Sequence, residues 1–288
     1  MTQAKHEAVI ENQHSEEKKK NLSVYQSIFS GSVTGAFEVM VDHPLWSIKT
    51  RMQKGETFTL NPQVLYRGIL PNAASMIPIT AVQVGLNRFF QKCFWGNNYV
   101  LSDGQKMASA FAAGVGSALI SCPTEMIMTH QKKSFFAAGS YLVKQNGWSC
   151  LYTGMLATML REGMFSTFFL GVAPTLKNRI KEYCPNDYFA SLLAGMTAGI
   201  GATFASQQFD VVKTVQQASV AKNSAGFFRT VQKHYAAYGA CGFFKGSVPR
   251  GLRVMSAVTL MNWMNEKMGE LLSETPQTEP ITPSTSNR

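Results

Sequence analysis

Six stretches of the chain are predominantly apolar and long enough to cross a bilayer as helices, yet each is broken by polar positions: about 24–53, 70–94, 104–132, 152–180, 187–217 and 247–272. A spanning helix needs about 20 largely apolar residues, so these stretches qualify only if the polar positions turn inward. Between the members of each pair lies a shorter, more polar stretch, at about 57–66, 134–147 and 222–240, which predicts an amphipathic surface helix. Small residues recur at one place in the first stretch of each pair: Gly31 and Gly35, Ala110 and Gly114, Gly195 and Gly199. Such spacing lets helix backbones approach closely in lipid. The pattern predicts an all-α membrane protein: six transmembrane helices in three pseudo-symmetric repeats, with short surface helices, around a central water-filled cavity.

Charge sharpens this picture. The chain of 288 residues carries 27 Lys+Arg against 17 Asp+Glu, a formal net charge of +10, although only 15% of its residues are charged. A basic, charge-poor chain points either to nucleic-acid binding or to a membrane protein facing anionic lipid or solute. The mean hydropathy of −0.05 is too low for helices that meet lipid all round. It suits helices with one face on a wet cavity, where ionisable residues inside a span are functional. A soluble nucleic-acid-binding helical protein is the rival, and it would cluster its basic residues on one exposed face among aromatics. Here they recur at helix-end positions, so no nucleic-acid partner is expected.

The chain ends differ from its middle. Residues 1–21 form a polar N-terminal tail with Glu7, Glu11, Glu16, Glu17 and the Lys18–Lys20 run, and residues 273–288 a Thr/Ser/Pro-rich tail expected to be disordered. The first tail resembles neither a secretory signal nor an acid-poor transit peptide. The five cysteines show no paired or zinc spacing and the five histidines no metal spacing. No Walker loop or GxSxG elbow is present, so neither an enzyme nor a cofactor or metal site is expected.

One motif recurs at a period of about 80 to 90 residues. The first copy is Pro44-Leu-Trp46-Ser-Ile-Lys49-Thr-Arg51-Met-Gln53, followed by Tyr66-Arg67-Gly68. The second is Pro123-Thr-Glu125-Met-Ile-Met128-Thr-His130-Gln-Lys132, followed by Tyr152-Thr153-Gly154. The third has Gln208 in place of the proline, Gln208-Phe-Asp210-Val-Val-Lys213-Thr-Val-Gln-Gln217, followed by Phe244-Lys245-Gly246. Three degenerate copies in register resemble the mitochondrial carrier family over about residues 22–272. Repeats are then expected at 22–100, 101–185 and 186–272.

The resemblance implies roles. In that family, the acid of one signature pairs with the base of the next to shut the matrix end, which here sets Glu125 against Lys213 and Asp210 against Lys49. The third pair becomes Trp46 with Met128, both charges being lost together, as expected of positions that touch, since a lone buried charge costs several kcal/mol. Gln53 and Gln217 occupy the place of a brace beneath such pairs. Gly68, Gly154 and Gly246 open the even-numbered helices, whose N-termini attract phosphate, and the resemblance implies cardiolipin head groups there.

Twenty residues beyond the glycines lie Arg88, Pro174 and Glu266, where the family has an acid, and three further lie Gln91, Lys177 and Gly269, where it has a base. The same cyclic rule sets Arg88 against Lys177 and Glu266 against Gln91. That is a cytoplasmic gate almost erased, from which partly uncoupled or one-directional transport is expected.

Seven residues past each glycine come Ser75, Arg161 and Arg253, the family's substrate contacts. Two arginines on different helices suit a small anionic or zwitterionic solute, because the guanidinium fork fits phosphate and carboxylate. Glu162 beside Arg161 resembles the pattern of amino-acid carriers, with S-adenosylmethionine as a related solute. A looser likeness of the whole chain is to carriers that intracellular bacteria deliver into host mitochondria, which move nucleotides such as ATP. The expectation is a monomeric multi-pass carrier of the mitochondrial inner membrane, with a nucleotide placed ahead of the amino-acid class.

Overall fold

The computed structural model describes residues 23–53, 61–66, 69–96, 101–130, 135–184, 186–218, 226–244 and 247–274, the side chains of 45, 46, 48–53, 71, 135, 249, 273 and 274 excepted. Throughout this range the chain is helical: α1 (Val24–Gln53), α2 (Pro62–Leu65), α3 (Ile69–Trp95), α4 (Asp103–His130), α5 (Phe135–Asn146), α6 (Met155–Ser166), α7 (Ala173–Lys181), α8 (Asp187–Ala218), α9 (Phe227–Tyr238) and α10 (Ser247–Glu274). One π-helical turn, Thr167–Val172, welds α6 to α7, and short 3-10 turns at Trp148–Tyr152 and Ala240–Phe244 precede α6 and α10.

Local chemistry explains where the long helices begin. Ser23 Oγ accepts from the Gln26 amide at 3.1 Å while Gln26 Oε1 accepts from the Ser23 amide at 2.8 Å. Ser102 and Gln105 repeat this reciprocal cap ahead of α4, at 3.4 and 2.8 Å. Asn186 caps α8 by accepting from Tyr188 and Phe189. Each cap satisfies amide donors that an unbroken helix start leaves orphaned.

Proline sets the bends. Pro44 cannot bond the carbonyl one turn earlier, and that carbonyl, Met40 O, instead accepts from the Tyr66 hydroxyl at 3.2 Å. Pro174 follows the π turn after one intervening residue, in the first turn of α7, as expected where a ring without an N–H displaces the carbonyl of the preceding turn.

The long segments pack in chain order and close on themselves: α1 on α3, α3 on α4, α4 on α6, α6 and α7 on α8, α8 on α10, and α10 back on α1. The small-residue pairs lie at these crossings. A methyl at Gly31 would stand 2.7 Å from the Thr80 carbonyl oxygen, one at Gly195 2.6 Å from the Thr259 Cα, and one at Gly114 would overlap the Glu162 carbonyl. The third contact holds α4 against the turn that carries Arg161 and Glu162.

The distribution of side chains is inside-out relative to a water-soluble bundle. Met40, Leu119, Ile200, Phe204 and Leu252 face outward, while Glu38, Asp42, Gln83, Glu162 and Asn262 are buried. Among the described residues, Asp103–His130 and Asp187–Ala218 are long and apolar enough on composition to cross a membrane. The expected surface helix at 134–147 matches α5 and that at 222–240 matches α9, whereas of 57–66 the described residues form only the single turn α2.

Candidate functional site: a charged cavity with an ion-pair layer at its floor and another beyond an apolar plug

The ring encloses a cavity of about 140 Å3, bordered by residues from α1, α3, α4, α6 and α10. Its polar lining is Glu38, Thr80, Gln83, Glu125, Arg161, Glu162, Arg250 and Arg253, and its apolar lining includes Met76, Ile79, Phe165, Val254 and Met261. Pockets that hold drug-sized ligands run from roughly 300 to 1,000 Å3, so a solute of that size needs one end of this cavity to open.

Arg161 organises the cavity floor. Its Nη2 donates to Glu125 Oε1 at 2.7 Å and to Glu162 Oε1, and its Nη1 lies 3.7 Å from Asp210 Oδ1. Lys213 closes on the other oxygen of Glu125. The structure therefore brings Glu125 and Lys213 together. Asp210 also reaches Arg250 Nε at 3.5 Å, and Arg250 is held in place by Gln207 Oε1 at 2.8 Å and Ser206 Oγ at 3.0 Å. Gln83 donates to Glu162 Oε2 at 2.9 Å and to Ser117 Oγ at 3.2 Å, extending the network to α3 and α4. At the floor, burying Glu125, Arg161, Glu162, Asp210, Lys213 and Arg250 is tolerable because each has an opposite partner.

Several expected residues are placed differently or lie outside the described set. The Ser75 hydroxyl donates to the Asn72 carbonyl at 2.8 Å and is not in the cavity lining, where α3 contributes Met76, Ile79, Thr80 and Gln83 instead. Lys49, Trp46 and Gln53 have side chains outside the described residues, and Gly68 and Gly246 lie outside them altogether. The pairings of Asp210 with Lys49 and of Trp46 with Met128 therefore fall there, Met128 itself being half-buried. Gln217 is buried one turn beyond Lys213, but no hydrogen bond joins it to the Glu125–Lys213 pair among the described residues. Gly154 precedes α6 with φ at 82°, a left-handed conformation that favours glycine.

At the opposite end the expected pairing is corrected. Lys177 Nζ lies 2.5 Å from Glu266 Oε2 and 3.0 Å from Asp187 Oδ2, and Lys181 also closes on Asp187. Ser191 donates to Glu266 as well, at 3.2 Å. Glu266 thus takes Lys177 rather than Gln91, and Lys177 faces carboxylates rather than Arg88. Gln91 bonds Asn87 and Ser109. The two pairs run in opposite senses: Glu125 of the second repeat pairs forward with Lys213 of the third, whereas Glu266 of the third pairs backward with Lys177 of the second. One cyclic rule carried from end to end therefore fails. A charged layer built on Lys177, Glu266, Asp187 and Lys181 is present at this end.

Between cavity and outer layer sits an apolar plug of Val84, Phe169, Ala257 and Met261, with Phe165 and Leu170 against it. Sixteen residues separate Arg161 from Lys177 along one nearly continuous rod, about 24 Å at helical rise. The residues that sequence reasoning missed are Glu38, Asp42, Arg250, Gln83 and Asp187. Two signals could have found some of them: a polar stripe at intervals of four in α1 (Ser30, Thr34, Glu38, Asp42) and the three-residue spacing of Arg250 and Arg253.

Comparison with known proteins fits this geometry. The mitochondrial carrier protein family model matches three consecutive segments, residues 20–98, 100–183 and 185–276, and the chain belongs to that family. It is similar to the mitochondrial carnitine carrier of Saccharomyces cerevisiae, 28% identical over 272 residues that cover 81% of this chain and 83% of the carrier. It is 25% identical over 285 residues to the tricarboxylate transport protein B of Danio rerio, with 88% and 90% of the two chains covered. The mitochondrial glycine transporter of Xenopus tropicalis is 27% identical over 288 residues, with 85% and 91% covered. The protein is accordingly a membrane-embedded transporter of small solutes, not an enzyme. It is a multi-pass protein of the mitochondrial inner membrane, and the soluble nucleic-acid-binding alternative is set aside.

Proposed function

We propose that all six long segments span the bilayer as three hairpins, and that the chain moves a small anionic solute by alternating access through the charged cavity, with a nucleotide such as ATP as the leading class. The observation that carries this reading is the convergence of Arg161, Arg250 and Arg253 on one cavity in a chain of net charge +10. Three guanidinium forks offer bidentate sites for phosphate or carboxylate oxygens, and a basic surface raises the local concentration of anions. The carboxylates that now occupy Arg161 act as internal counter-ions for an arriving anion to displace.

The ion pair at the cavity floor and the one beyond the plug serve as the two gates: Glu125, Asp210 and Lys213 toward the matrix, Lys177 and Glu266 toward the cytoplasm, with Arg88 and Gln91 near the latter. The backbone N–H groups that follow Gly154, and those expected after Gly68 and Gly246, would receive the phosphates of cardiolipin or another anionic lipid. The chain works as a monomer, one cavity being enclosed by one ring.

A second reading has its own support. Glu38, Glu125 and Glu162 match the three arginines of the lining in number, which suits a solute bearing both signs of charge, an amino acid or S-adenosylmethionine. Purified protein in liposomes, loaded or empty, decides between them by uptake of labelled ATP, amino acids and S-adenosylmethionine. Arg253→Ala should abolish uptake of the transported solute. Uptake of none of these with intact folded protein, or undiminished uptake in Arg253→Ala and Arg250→Ala, would overturn the proposal.

A further inference from the structure

The inner stripe of α1 is not absorbed by the anion site. Thr34, Glu38 and Asp42 follow one another at intervals of four, so they stack on one face about 6 Å apart. All three are almost wholly buried, at 0%, 2% and 2% exposed. Each nevertheless has an oxygen without a hydrogen-bond partner among the described residues: Thr34 Oγ1, Glu38 Oε2 and Asp42 Oδ2. The other Asp42 oxygen accepts from Ser256 at 2.6 Å. Arg253 is close enough for its charge to act on both acids, yet it donates to neither.

Buried acceptors left unpaired cost free energy, and nearly all native ones are paired. Three in register, one of them on a carboxylate that lines the cavity, mark a place where a ligand supplies the missing donors. We infer that Glu38, supported by Thr34 and Asp42, is a specificity-determining subsite that takes an N–H group of the solute, while the arginines opposite take its anionic end. The apolar patch of Met76, Ile79 and Val254 between them accommodates the body of the solute.

The chemistry required is a nitrogen that still carries hydrogens, whether a primary ammonium or an exocyclic amine. A fully methylated nitrogen would leave Glu38 Oε2 unpaired and would be selected against. This rests on the anion-transport reading but goes beyond it, because no arginine distinguishes an amine from its methylated form.

The test uses matched pairs as competitors of uptake in liposomes: ATP against N6,N6-dimethyl-ATP, and glycine against glycine betaine. The pair that contains the transported class identifies the source of the N–H group. Wild-type protein should favour the N–H member of that pair by about tenfold, the loss expected when a buried acceptor goes unpaired. Glu38→Met should bring the ratio close to one and, by removing an unpaired buried acceptor, leave the melting temperature unchanged or raised. Equal competition by both members in the wild type overturns the inference while leaving the anion reading standing. So does a Glu38→Met variant that melts lower, as a purely structural residue would. Uptake of both members that depends equally on a pH gradient would assign Glu38 to a proton and overturn it too. If neither pair competes and Arg253→Ala has no effect, the transport reading itself fails, and the melting temperature of Glu38→Met still decides whether Glu38 is structural.

Discussion

The two charged layers of the ring differ in what they touch. The inner one, built on Glu125, Lys213 and Asp210, shares Arg161 with the cavity wall, so on the proposed reading its ion pairs and the solute would compete for the same guanidinium. The outer one, Lys177 with Glu266 and Asp187, is cut off from the cavity by Phe169, Met261 and their neighbours. An anion that captured Arg161 would therefore weaken the inner layer directly, whereas the outer layer would respond only through movement of the helices that carry the plug. If the two layers are the gates proposed above, one would sense the solute directly and the other indirectly.

Arg161→Ala is the most damaging way to break this comparison. It strands Glu125, Glu162 and Asp210, and removing one partner of a buried charge pair costs about 3–5 kcal/mol. Both uptake and the melting temperature in detergent should fall sharply. An unchanged melting temperature would show that Arg161 does not hold the inner layer.

At the outer layer, Lys177→Met or Glu266→Gln alone should destabilise the protein, and the double substitution should recover much of the loss. The double-mutant cycle should give a coupling of roughly 0.5–3 kcal/mol. Additive effects would mean that the pair does not act as a unit. Gly114→Ala, which drives a methyl into the Glu162 carbonyl, should cost about 1–3 kcal/mol through overpacking, read from a thermal melt. Arg250→Lys keeps the charge but loses the fork held by Gln207 and Ser206. It should raise the half-saturating solute concentration about tenfold, by some 1.4 kcal/mol, with little change in melting temperature. Gln91→Ala, at the position displaced from the outer pairing, should change uptake and stability least, within about 0.5 kcal/mol.

The repeat was legible because the proline-bearing and acid–base positions recur at fixed offsets from the glycines, so Glu125, Lys213, Arg161 and Glu266 could be singled out one repeat at a time. Ser75 was misplaced because counting from a glycine fixes the turn of a helix but not its rotation, and α3 presents Gln83 and Thr80 to the cavity instead. Glu38 and Arg250 escaped because neither belongs to the repeated signature. They face the cavity only through the way α1 and α10 close the ring.

Sequence alone determined the six apolar segments, their small-residue spacings and the family, because these depend on spacing within one segment or on its recurrence. Which charges meet across the ring was decided only by the tertiary structure: Glu266 with Lys177 rather than Gln91, and Asp210 with two cavity arginines. A contact between helices far apart in sequence depends on their tilt and rotation about the shared axis, and neither is encoded in any local pattern.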